Sequence, residues 1–264
     1  MRVNKRGLSL FLLVALVPLF SGCSFISKLR ARDNLNKGVK AFTEQKFDDA
    51  TKYFEASISE DPEFETARMY LATTYSTQFV PGSPDPKSNE MAEKAIAVFK
   101  DVVQMSKVQQ SKINAMLSVA SLYYQLKQYD ASKEWCRKIQ SEDPNNAESL
   151  YRIAVIDYDD SLSKTGLQGE NVEFLNAEEK AHTQQDIEEG LNCIGQALKI
   201  RSDYFDAMEY ENLLWREKAK FEKDEKAKQE LIQEADKIAQ TSLVLRLKAE
   251  EEERKKPKKL GIKK

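Results

Sequence analysis

Histidine is nearly missing from this chain of 264 residues: His182 stands alone. With one imidazole, neither a His-rich zinc site nor a His-centred triad can be drawn from a cluster. Glycine and proline are also scarce, at 9 and 7 residues. That is too few for the many turns of a β-rich fold. Neither sign of charge prevails, since 41 Lys and Arg face 43 Asp and Glu. A formal charge of −2 gives no overall pull toward nucleic acid. Gly-rich phosphate loops, nucleophile elbows and paired zinc motifs do not occur either. These absences argue against an enzyme, and no metal, cofactor or small-molecule substrate is expected.

Cysteine is limited to three residues: Cys23, Cys136 and Cys193. The last two sit among apolar neighbours in helical sequence and read as small buried side chains. An oxidising compartment would leave a disulfide between them open.

What is present begins with Arg2, Lys5 and Arg6, followed by an apolar run over residues 8–20 that is broken only by Ser9 and contains Pro18. Thirteen helical residues rise only ~20 Å, short of a ~30 Å hydrocarbon core. A basic start, a short apolar segment and small residues after it make the layout of a secretory signal peptide. The run closes on "LFSGC", residues 19–23. This resembles the lipobox of bacterial lipoproteins, with Phe20 where the family usually has Leu. The resemblance implies cleavage after residue 22, acylation of Cys23 and a short tether over 23–30. Several acyl chains make a stable anchor, at ~0.8 kcal/mol per buried methylene. In that family Ser24 after the cysteine favours the outer membrane, facing the periplasm. Losing residues 1–22 removes three positive charges and no acid, moving the formal charge from −2 to −5.

The mature part is rich in Glu, Lys, Ala and Leu, which favours helix throughout. It also repeats. In "KGVKAFTEQKFDDATKYFEASISEDP" the order is Gly38, Ala50, Phe54, Pro62; in "VASLYYQLKQYDASKEWCRKIQSEDP" it is Ala120, Ser132, Cys136, Pro144, at the same intervals. Small residues let two helix backbones cross closely, and the proline ends the second helix. This pattern resembles the tetratricopeptide repeat, a helix–turn–helix unit of 34 residues. Read through the chain, it implies an all-α solenoid of five units over 31–248. They are 31–64, 65–112, 113–146, 147–204 and 205–248. The second carries a turn-rich loop over 79–90, and the fourth an insert, "SLSKTGLQGENVEFLN". Residues 249–264 read as a charged, disordered tail ending in seven Lys and Arg from Arg254 onward.

The resemblance implies a concave face lined by first helices, where such solenoids bind peptides or partner helices. Its register puts Leu35 and Phe42, Met69 and Ser76, Leu117 and Tyr124, Tyr151 and Tyr158, and Glu209 and Arg216 there. Tyr70, Thr73 and Arg152 lie beside them. Tyr70, Thr73, Tyr124, Tyr151, Arg152 and Tyr158 form the expected partner-binding set, being mainly aromatics with polar tips and an arginine. The Lys and Asn of a carboxylate-gripping clamp are absent, with Leu35 and Val39 in their places. Asp157, Asp159 and Asp160 do not share one helix face and read as a solvated helix end. The chain therefore reads as a membrane-anchored scaffold for a protein or peptide partner. Two alternatives remain. One is an envelope enzyme or regulatory subunit using the insert with Asn171, Glu173 and Asn176. The other is a structural protein touching peptidoglycan through the tail.

Overall fold

The computed structural model describes the backbone of residues 6–255 and the side chains of residues 24–255. Residues 1–5 of the expected signal segment, and the side chains of its remainder and of Cys23, lie outside what is described. Among them the chain is all-α, with ten α-helices and one 3-10 turn. It divides into two compact units at Leu126 and Lys127. No described helix is long and apolar enough to cross a membrane.

The first unit holds α1 (Arg6–Thr43), α2 (Phe47–Glu60), α3 (Glu65–Gln78), α4 (Pro86–Met105) and α5 (Gln109–Gln125). α1 packs on α2 and α3 on α4 as successive hairpins. Phe54 of α2 is fully buried in a cluster with Ala41, Ala50 and Leu71. Gly38 lets the α1 backbone approach: a Cβ there would stand 2.5 Å from Phe54 Cε1. Ala50 is likewise fully buried. Ala50→Leu is expected to overpack this crossing and lower stability by about 1–3 kcal/mol; an unchanged melting temperature would contradict that placement.

The turn-rich loop of the second hairpin is pinned rather than loose. Phe79 is buried beneath it. The Ser88 hydroxyl accepts from Val80 N at 2.8 Å and donates to Val80 O at 3.0 Å. Asp85 caps α4 by accepting from Lys87 N, with Pro86 at the first helical position.

The second unit holds α6 (Tyr129–Glu142), α7 (Ala147–Thr165), a 3-10 turn (Val172–Phe174), α8 (Ala177–Ile200), α9 (Phe205–Ala219) and α10 (Glu225–Lys255). α7 pairs with α8 and α9 with α10. The insert is shorter than its sequence suggested, because α7 continues to Thr165. Asn176 starts α8 with a capping box, bonded reciprocally with Glu179. Gly190 is the small residue where α8 meets its neighbours; a Cβ there would lie 2.9 Å from Leu214 and 3.2 Å from Asp157.

One expectation needs correction. The tail read as disordered from residue 249 is helical as far as Lys255. Glu250 and Glu251 stand four residues before Arg254 and Lys255 and pair with them at 3.7 and 2.7 Å. Acid-before-base spacing of this kind supports a helix, and the cations complement its C-terminal dipole. Residues 256–264 lie outside the described residues. As the sequence suggested, Cys136 and Cys193 are small buried side chains, and both are free. Burial pushes each thiol up to about 12, which makes both inert small side chains.

Candidate functional site

Four tyrosines gather in the second unit. Tyr151 and Tyr158 lie two turns apart on α7, Tyr210 is on α9, and Tyr204 caps the start of α9. Tyr210 meets Tyr151 at 5.5 Å and Tyr158 at 5.7 Å, edge to face in both cases. Tyr151 also leans on Tyr204 at 5.1 Å. Tilted and edge-to-face rings at these distances are the favoured aromatic geometry. Tyr204 is buried, and its hydroxyl donates to Glu148 Oε2 at 2.7 Å. Glu148 pairs in turn with Arg152 at 3.0 Å.

Tyr151, Tyr158 and Tyr210 are half-buried. Burial pushes Tyr151 up to about 12 and raises Tyr158 and Tyr210 as well. All three are neutral phenols at physiological pH, able to donate and accept hydrogen bonds at their outer edge. The sequence register names Tyr151 and Tyr158, each of which meets Tyr210, and leaves Tyr204 and Tyr210 out. It offered Glu209 and Arg216 instead. Those two turn toward α10: Glu209 pairs with Arg246, and Arg216 with Asp236 at 2.5 Å. An α-helix rotates about 100° per residue, so a register error of one at Glu209 points to the wrong neighbour.

Of the other expected binding residues, Arg152 stands beside this group through Glu148, and Tyr70, Thr73 and Tyr124 belong to the first unit. Tyr70 stacks on Phe54 at 5.5 Å and packs on the core of the first unit, as do Leu35 and Phe42. These three are packing residues rather than free anchors. Thr73 is exposed on α3, with its hydroxyl bonded to Met69 O. Tyr124 is half-buried on α5.

A second constellation is ionic. Asp157, which the sequence places at a solvated helix end, is fully buried. Lys133 of α6 reaches it at 2.5 Å. The same ammonium lies 2.7 Å from Glu189 and 3.3 Å from Asp186, both on α8. Arg137 closes on Glu189 at 2.6 Å. Beside it, Asp160, His182 and Asp186 converge within 4.8 Å, as do Asp157, Asp186 and Glu189. In the latter group the cation is the protein's own Lys133; in the former, Lys164 bonds Asp160 at 2.6 Å. Such a network ties α6, α7 and α8 together. Its signal in sequence was weak, because "DASKEWC" offers nothing to mark Lys133 as buried.

The fourth-repeat insert is braced from beneath. Glu217 and Thr165 are buried and bonded at 2.8 Å. Lys220 joins both and donates to Gly166 O at 2.7 Å. Asn176, which the enzymatic alternative invoked, is occupied as a helix cap.

The comparisons agree with the fold. A family model for the tetratricopeptide repeat matches residues 113–146, which span most of α5 and all of α6. Among solved structures, a crystal structure of MamA protein is similar, with 14% identity and a TM-score of 0.56, over 84% of this chain and 94% of that one. A MamA from Desulfovibrio magneticus RS-1, spanning position 41 to its end, is similar at 10% identity and TM-score 0.54, over 83% and 96%. No curated protein matches the chain. At these identities the likeness concerns the fold alone, which is that of tetratricopeptide-repeat proteins.

Proposed function

We propose that the protein is a lipid-anchored scaffold of a bacterial cell envelope, held by an acylated Cys23 and binding a protein or peptide segment through the tyrosine face of α7 and α9. The tyrosine array carries the binding half of this reading. Three half-buried phenol rings from two neighbouring helices form one platform, with apolar faces and hydroxyl tips. Tyrosines of this kind bury area at little entropic cost and still satisfy a partner's backbone. Arg152, close by on α7, adds a charge that can orient an acidic group. The anchoring half rests on the basic start, the apolar run and the "LFSGC" sequence. Outer-membrane placement, facing the periplasm, follows from Ser24 within the same reading.

The test uses protein crosslinked in membranes and recovered with its partners. Tyr158→Ala and Tyr210→Ala should each weaken capture by ~2 kcal/mol, roughly thirtyfold. Tyr158→Phe separates the two roles, since it keeps the ring packing against Tyr210 and removes only the hydroxyl. Circular dichroism confirms that each variant is folded. Alanine variants that melt normally and recover the same partners at the same yield would refute the binding face.

A further inference from the structure

The stretch of α1 just after residue 23 carries an apolar patch turned away from the protein. Phe25 is 65% exposed, Ile26 50% and Leu29 49%. At about 100° per residue these three share an arc of about 100°. That arc lies about 180° from Ala31 and Gly38, the residues by which α1 meets its core. Exposed basic residues border it, with Lys28 and Arg32 on one side and Arg30 on the other. One turn further on, the same direction is held by exposed Asp33, Asn36, Lys37 and Lys40. The patch is thus confined to the turns nearest residue 23. No Asp or Glu occurs before Asp33.

We propose that Phe25, Ile26 and Leu29 insert into the surface of an anionic lipid bilayer, with Lys28, Arg30 and Arg32 at the headgroup phosphates. An apolar stripe flanked by cations is the pattern of an interfacial helix, whose apolar side sinks ~5–10 Å into the headgroup–acyl boundary. Lys and Arg stems cover apolar surface while their charges reach the phosphates. The patch follows the apolar run of residues 8–20 and the "LFSGC" sequence in the chain, and the anchor of the proposed function would put lipid beside it. A second copy is the poorer occupant. Three partly exposed side chains fall well short of the roughly 800 Å² per partner of a stable interface. The inference deepens the anchoring half of the proposed function, because it makes residues 25–32 of α1 a second membrane contact that sets how the domain leaves the bilayer.

The test is fluorescence depth quenching. The full chain, purified from membranes, carries Phe25→Trp and is reconstituted in vesicles of phosphatidylethanolamine and phosphatidylglycerol with brominated acyl chains. The signal of Trp135 and Trp215 is subtracted using the chain without the added tryptophan. The added tryptophan should emit to the blue and be quenched most by bromines placed near the headgroups. Ile26→Ser with Leu29→Ser should reduce that quenching at least twofold. A water-like, unquenched emission overturns the inference, and so does crosslinking of residue 29 between copies with no quenching. Palmitate labelling of Cys23 is read in parallel. Labelled but unquenched protein sinks this inference alone; quenched but unlabelled protein sinks the acyl anchor alone.

Discussion

Lys133→Met is expected to destabilise the protein by about 3–5 kcal/mol at pH 8, the usual effect of removing one partner from a buried ionic group. Methionine keeps the length and apolar stem of the lysine. What it removes is the ammonium shared by Asp157, Glu189 and Asp186. Three carboxylates within 4.8 Å of one another are then left without their common cation. The pH dependence identifies the cause. Burial already pushes Asp157 up to about 7, with the charge of Lys133 pulling it down. Without that pull its folded pKa rises further above the unfolded value of about 4. Between those values the folded variant binds more protons than the unfolded chain, so its stability falls as pH rises. The deficit relative to the parent protein should therefore be largest at pH 8 and smaller at pH 5. Urea melts at both values measure it. A deficit independent of pH would assign the loss to packing, and no deficit would mean that the network contributes nothing.

Phe54→Ala should lower stability by about 3–5 kcal/mol, since the ring is fully buried and leaves a cavity. Gly38→Ala should also destabilise, by about 1–3 kcal/mol, although alanine is the better helix former. Its Cβ would meet three atoms of the Phe54 ring at 2.5 to 3.0 Å. The ring cannot simply retreat, because Tyr70 is stacked against it at 5.5 Å. Gly38→Ala combined with Phe54→Leu should then cost less than the two single changes together, with a coupling of about 0.5–3 kcal/mol. Strict additivity in denaturant melts would show that the two residues do not share this contact.

Much of the fold was legible in residues 37–62 and 119–144, where small, aromatic and proline positions recur at fixed intervals. A helix crossing needs a small residue, and a helix end needs a breaker. Those demands are local, so Gly38, Ala50 and Phe54 could be placed from sequence. The anchor sequence around Cys23 is local in the same way, and lies outside the described side chains. Other features depended on which helix faces which. Lys133, Asp157 and Glu189 lie on three helices, and nothing in any one of them marks its charge as buried. Asp157 looked solvated because its neighbours Asp159 and Asp160 are acidic; only the approach of α6 and α8 makes it a buried partner. The tyrosine platform was half visible. Tyr151 and Tyr158 follow from spacing on one helix, whereas Tyr210 required the register of α9. That hairpin matches the repeat weakly, and at about 100° per residue a shift of one places Glu209 and Arg216 against α10 and turns Tyr210 toward α7.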